Sequence, residues 1–225
     1  MKIDLHVHTN YSYDSSLTLE QIIEKVKSKK LDIVAVTDHN EIKGALELQK
    51  IAPFKIIVGQ EIDTDSGHIL GYFLKEKIKS GQTPEKTIEE IHKQGGLVAV
   101  PHPFDKLRHG QIKKQALLRI LDKIDFIEVY NARTLWPGTQ RKTEKFVKKN
   151  NLIKIAGSDA HSIWELGHSM VEIKDFSDAL DFKEKIKKAK FIKGHNTIWA
   201  YFLSAWTIVY KIFKKIFKNK KFPSN

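Results

Sequence analysis

The sequence predicts an α/β fold: an irregular (β/α) barrel of seven or so mostly parallel strands, followed by a C-terminal helical tail. Three observations carry this. Short apolar runs alternate with amphipathic helical segments along most of the chain. Runs such as Ile33-Val34-Ala35-Val36 lack polar alternation, as strands covered on both faces do. Residues able to ligate a metal stand just past at least five different runs. An open doubly wound sheet concentrates its site at one switch point. A barrel gathers every strand's C-terminal end into one ring, so the barrel is the expectation.

The elements follow in order. Strands are expected at residues 2–6, 33–37, 55–59, 68–73, 97–100, 126–130, 153–156 and 170–173. A helix at 19–28 opens with Thr18 and Gln21, a capping-box spacing. A second, at 84–93, has Thr83 as N-cap and Pro84 at its first position, and Gly95-Gly96 stops it. Segments 43–50, 111–123 and 139–149 also read as helical. The chain divides into a barrel over 1–193 and a basic amphipathic tail over 194–225.

Composition bounds the chemistry. At 225 residues, 41% hydrophobic and 29% charged, the chain is a folded domain with a substantial core. There is no cysteine, which excludes disulfides, thiolate metal sites and a cysteine nucleophile. Any metal must be held by imidazole and carboxylate, which suits manganese, zinc, iron or magnesium. The start Met1-Lys2-Ile3-Asp4 carries no signal-peptide pattern, and a cytoplasmic location is expected. The net charge of +12 is uneven. Eleven lysines and no acid follow Glu184, so residues 185–225 carry +11 and the body about +1.

The motifs come next. Asp4-Leu5-His6-Val7-His8-Thr9 puts two histidines at i and i+2 of a strand, on one face, as converging ligands require. Thr37-Asp38-His39-Asn40, Gly59-Gln60-Glu61, Pro101-His102-Pro103 and Gly157-Ser158-Asp159-Ala160-His161 follow. In this order and spacing they resemble the PHP ("polymerase and histidinol phosphatase") family of metal-dependent phosphoesterases, over roughly residues 1–173. The resemblance implies two or three divalent ions, with manganese, zinc or iron as candidates. His6, His8, Glu61 and Asp159 would hold one. Glu61 would bridge to a second, with His102. Asp14, His39 and His161 would hold a third. Many trinuclear members have histidine where this chain has Asp14. His68, at the start of a strand, is a further candidate for the second ion. Ser162–Gly167 resembles a short closing segment of small members.

Glu61, Asp159 and His161 are the expected catalytic residues. Arg108 and Arg133 follow strands that should end on the catalytic rim, and their forked donors suit phosphate oxygens. Glu128 and Asn131 share a strand end and are candidates to support the metal ligands. His109 and His168 lie in loops able to border the pocket, whereas His92 and His195 read as surface residues.

In the tail, residues 198–218 contain no helix breaker. Ser204, Thr207, Lys211, Lys214, Lys215 and Lys218 form one polar stripe. The uncharged run 198–210 is 13 residues, short of the ~20 that span a bilayer. Peripheral membrane contact through 198–218, at an inner membrane face, stands beside packing on the barrel or on a second copy; contact with nucleic acid comes third. The expected activity is hydrolysis of a phosphate ester by metal-activated hydroxide. Its substrate would be a small phosphomonoester, a nucleotide or an oligonucleotide end. The rivals are an amidohydrolase-type C–N or C–O hydrolase and a non-catalytic metal-binding scaffold tethered by its tail.

Overall fold

A computed structural model describes residues 1–108, 110–195 and 199–218. The strands are β1 (Lys2–Val7), β2 (Ile33–Val36), β3 (Lys55–Thr64), β4 (Gly67–Tyr72), β5 (Leu97–Val100), β6 (Phe126–Asn131), β7 (Ile153–Gly157), β8 (Met170–Glu172) and β9 (Lys190–Ile192). The helices are α1 (Leu19–Lys29), α2 (Lys43–Ile51), α3 (Pro84–Lys93), α4 (Lys114–Arg119), α5 (Pro137–Lys149), α6 (Ala179–Ile186) and α7 (Trp199–Lys218).

One sheet runs in the order β7-β6-β5-β4-β3-β2-β1-β8-β9. It curls until β7 meets β1 again. The backbone N–H of His8 donates to the Ala160 carbonyl at 2.9 Å, and that of Asp159 to the His6 carbonyl at 2.7 Å. This nearly closes a barrel, with β8 and β9 continuing past the seam. The expected barrel is therefore present, with two differences. More strands form than expected, because the short β9 pairs with β8. The ladders are also less parallel: β1–β2, β2–β3, β5–β6 and β6–β7 are parallel, but β3–β4, β4–β5, β1–β8 and β8–β9 are antiparallel. The cause lies at Asp65-Ser66. With only these two residues between β3 and β4, the chain can only fold back as a hairpin. β4 thus runs opposite to its neighbours, and its beginning lies at the mouth where the parallel strands end.

The helices start where local chemistry places them. The Thr18 hydroxyl accepts from Gln21 N–H while the Gln21 side chain accepts from Thr18 N–H, completing the capping box of α1. Thr83 caps α3 ahead of Pro84. The helices bury apolar faces on the strands, α1 through Leu19, Ile22 and Val26, and α3 through Ile88 and Ile91. Each such side chain, fully buried, contributes roughly 1.5–3 kcal/mol. β2 and β5 are buried at every position, which explains their unbroken apolar runs.

Candidate metal centre

His6 and His8 leave β1 on one face and are fully buried. Their Nε2 atoms lie 3.0 Å apart. Glu61 Oε2 is 3.3 Å from His6 Nε2 and 3.2 Å from His8 Nε2. Asp159 Oδ1 lies 3.7 and 3.5 Å from the same two nitrogens. Donors bonded to one ion at about 2.0–2.2 Å stand about 3–3.7 Å from one another. His6, His8 and Glu61 therefore have the spacing of one shared cation, with Asp159 Oδ1 facing the two histidines beside them. Glu61 lies inside β3, a strand longer than its apolar run, and directs its second oxygen elsewhere. Oε1 is 2.8 Å from His68 Nδ1 and 3.3 Å from His102 Nε2. His39 Nδ1 is 3.4 Å from Oε2. Asp14 Oδ2 lies 3.0 Å from His161 Nε2 and 3.5 Å from His39 Nε2.

The donors thus converge as three overlapping groups suited to cations: His6/His8/Glu61, His39/Glu61/His68, and His8/Asp14/His39/His161. A metal is also what the unsatisfied atoms call for. Asp14 Oδ1, His39 Nδ1 and His102 Nδ1 are buried without a hydrogen-bond partner. Burial opposes charge on Glu61, Asp159, His8 and His68, but their neighbours outweigh it. His39, His68 and His6 keep the buried Glu61 carboxyl well below the carboxylate range. Arg108 and His6 do the same for Asp159. Against its own burial, His8 is pushed up to about 9 by Asp159 and Glu61. His68 is likewise raised to about 10 by Glu61 and Asp63. A buried pocket that attracts protons this strongly attracts dications for the same reason.

The backbone is shaped for this convergence. His102 (φ 31°), Asp159 (φ 56°) and Asn40 (φ 53°) adopt left-handed conformations uncommon outside glycine. At the seam, Gly157 leaves no room for a side chain: a Cβ there would lie 2.4 Å from the His6 Cβ and 2.8 Å from its backbone nitrogen.

An outer ring orients the ligands. Glu128 Oε1 is 2.9 Å from His6 Nδ1, and Oε2 accepts from His102 N–H at 3.0 Å and from Asn131 Nδ2 at 2.9 Å. Asp38 accepts from Ser12 Oγ at 3.0 Å, and Ser12 Oγ is 3.0 Å from His8 Nδ1. His6 in β1 and His8 just after it thereby each have Nδ1 fixed. Asp38 and Ser12 are additions to the residues expected from sequence. The Thr37-Asp38-His39 run contained Asp38, but its side chain points away from His39's site toward the first loop.

The two arginines separate. Arg108 Nη2 contacts Asp159 Oδ2 and lies 3.4 Å from Asn131 Oδ1, while its buried Nε has no partner. Arg133 is 2% exposed; its Nε likewise has no hydrogen-bond partner but lies 3.1 Å from Glu165 Oε1, an ion pair. Its Nη2 donates to the Ala200 carbonyl at 3.0 Å and to Ser204 Oγ at 2.9 Å. Its Nη1 lies 2.8 Å from His161 Nδ1. Arg133 lies at the cavity, as its place after a strand predicts, but protein groups surround its guanidinium. Because Arg133 can only donate, that last contact takes an unprotonated Nδ1 and leaves the neutral ring's hydrogen on Nε2, toward Asp14. An ion held by Nε2 would move the hydrogen to Nδ1, toward the Asp159 carbonyl 2.8 Å away.

Ser204 and Ala200 belong to α7, so the tail reaches the site. A cavity of about 320 Å³ holds Asp14, His39, Glu61, His68, His102, Arg108, Arg133 and Asp159 on its floor, and Tyr201, Ser204, Ala205 and Ile208 on its α7 side. Tyr13 and Leu107 complete the rim. All the expected metal ligands thus come together. His92 stays on α3, 3.5 Å from Asp125. His168 borders a separate depression beside α7 with Trp164 and Trp199. His109 lies outside the described residues.

The PHP domain profile matches residues 4–134, and that of a PHP-associated segment matches residues 137–191. An uncharacterized protein of Methanocaldococcus jannaschii is 40% identical over 146 residues, 59% of this chain and 82% of that protein. Among solved structures, a two-domain Bacteroides vulgatus protein containing a predicted PHP-like metal-dependent phosphoesterase aligns with a TM-score of 0.67 and 18% identity. The match covers 86% of this chain and 65% of that one. An amidohydrolase from Chromobacterium violaceum, with bound sulfate and no metal, aligns at 0.56 and 17% identity, over 79% and 92% of the two chains. The structural likenesses show a shared fold. With two family profiles covering most of the barrel, and their motif residues gathered at one mouth, the chain belongs to the PHP domain family.

Proposed function

We propose that this protein is a metal-dependent phosphoesterase that hydrolyses small phosphomonoesters, nucleotides among them. The observation that carries this is the pairing of an acidic, histidine-rich donor cluster with Arg108, whose Nη2 reaches Asp159 from the wall of the same cavity. When bound, divalent ions supply an activated water and neutralise charge on the phosphoryl oxygens. The chain's own groups do the rest. Glu61 and Asp159 stay ionised and would hold the ions, while Asp159 Oδ2 anchors Arg108 and Asn131. Arg108 donates to a non-bridging phosphoryl oxygen and holds the ester against the cluster. His161 is brought down to about 3 by burial and the neighbouring Arg133 cation, so it stays neutral and serves as ligand rather than acid. Tyr13, Leu107 and Ile208 form the wall against which the ester's organic part packs. α7 over the mouth favours a small ester above an oligonucleotide end, which needs an open groove.

The amidohydrolase reading draws on the shared fold. It is the weaker because no lysine lines the cavity among the described residues to serve as a bridging ligand. The test is a hydrolysis screen of the manganese- or zinc-loaded full chain against phosphomonoesters, nucleotides, short oligonucleotides and cyclic amides. Phosphate release from small monoesters, lost on chelation and in Glu61→Ala, is expected. Amide hydrolysis without phosphate release would overturn the assignment.

A further inference from the structure

Helix α7 is amphipathic the wrong way round. A surface helix ordinarily turns its apolar stripe inward and its polar stripe to water. Here the first half of the polar stripe, Ser204, Thr207 and Lys211, meets the protein, while Lys214 beyond it is exposed. Ser204 Oγ accepts from Arg133, and Thr207 is 9% exposed and donates to the Leu203 carbonyl. Lys211 Nζ donates to the carbonyls of Asn10, Ser12 and Ser15 at 3.0, 2.5 and 2.7 Å. The other side of the helix faces outward. Trp199 is 68% exposed, Phe202 60%, Trp206 70% and Tyr210 57%, with Leu203, Val209 and Ile212 among them. Trp164, 71% exposed, joins this surface where it shares a depression with Leu203 and Trp206. A contiguous apolar face of this kind on a soluble body marks an interaction surface.

We propose that this face docks on the surface of an anionic lipid bilayer. Charge selects the occupant. Of the eleven lysines after Glu184, Lys185, Lys187, Lys190 and Lys193 pair with Asp181, Glu184, Glu172 and Glu144 and Lys211 is held by loop carbonyls, whereas Lys214 is exposed and Lys215 and Lys218 follow it at the end of α7, a helix without an acid. A protein partner would match the apolar side chains but would need an unusually acidic rim. An anionic bilayer offers both layers at once: headgroup charge for lysine and an acyl boundary for Trp, Phe and Tyr. Among the described residues no helix is long and apolar enough to cross a membrane, so α7 lies in the interface rather than through it. The inner side of α7 walls the metal cavity, so a docked molecule holds that cavity within about one helix diameter, ~10 Å, of the bilayer.

The experiment mixes the full chain with vesicles of phosphatidylcholine alone or blended with phosphatidylglycerol. It follows co-sedimentation, tryptophan emission and the oligomeric state of the free protein. Expected are binding to the blended vesicles only, a blue shift in emission, and weakening in high salt. The double variant Phe202→Ser/Trp206→Ser should stay in the supernatant while its melting temperature and metal content match the parent. Lys214→Gln should lower partitioning about five-fold. Three results overturn the proposal: full-length protein that ignores anionic vesicles, a double variant that still binds them, or a dimer that the double variant dissociates. The last would assign the face to a second copy of the chain.

Discussion

Arg108 and Arg133 both border the cavity, yet they act on different terms. The Arg108 side chain, 13% exposed against 2% for Arg133, stands at the cavity beside Asp159, so its loss should be felt by substrate. Arg108→Ala is expected to lower kcat/KM by about 2 kcal/mol of charge-assisted hydrogen bonding, read on the metal-loaded protein, where cations replace its charge beside Asp159. Arg133 is enclosed with the buried Glu165 carboxylate. Arg133→Leu removes the compensating charge there and should cost about 3–5 kcal/mol of stability, read by denaturant unfolding. Equal kinetic defects with no stability difference would refute this division of roles. Glu128 acts one step behind the ligands. Holding His6 Nδ1 and the His102 N–H, it fixes ring direction rather than touching substrate. Glu128→Ala should weaken metal affinity about 10–100-fold, measured by competition with a chelator, and excess metal should restore kcat.

At the scale of elements, two features make the site. The first is the seam between β7 and β1. Gly157 sits where a Cβ would run into His6, and the backbone bonds of Asp159 and His8 cross there. Gly157→Ala should therefore cost about 1–3 kcal/mol by overpacking and shift His6 out of register with His8. Calorimetry and metal content should fall together; a variant that binds metal normally would mean the seam can relax. The second is α7. Its polar stripe was legible in the sequence, but its direction was not. Periodicity says which residues share a face, whereas the partner for that face is chosen by the Arg133 guanidinium and by three loop carbonyls far away in sequence.

For the molecule as a whole, the metal cluster joins strands across the barrel. Donors from β1, β3 and β4 and from the loops after β2, β5 and β7 converge in one mouth, so an ion that binds the native state ties these elements together. Metal should thus raise folding stability by mass action, about 4 kcal/mol at a free concentration 1,000 times its dissociation constant. A melting temperature that rises with manganese or zinc and returns on chelation is the expected result. A constant melting temperature across that titration would mean that the cluster does not bind these ions in the native state.

By itself the sequence determined the α/β class, the capped helices α1 and α3, and nearly every residue that gathers at the candidate metal centre. These are written locally: buried strands as apolar runs, caps as Thr18 and Thr83, ligands as an i, i+2 pair or a residue at a strand end. Tertiary structure decided the rest. His68 looked misplaced at the start of its strand. It lies in the site because β4 runs antiparallel, which brings that strand's beginning to the mouth where its neighbours end. The separation of Arg108 from Arg133, the support from Asp38 and Ser12, and the inward polar face of α7 likewise depend on contacts between distant segments. Local pattern specifies what a residue can do; only packing specifies what stands beside it.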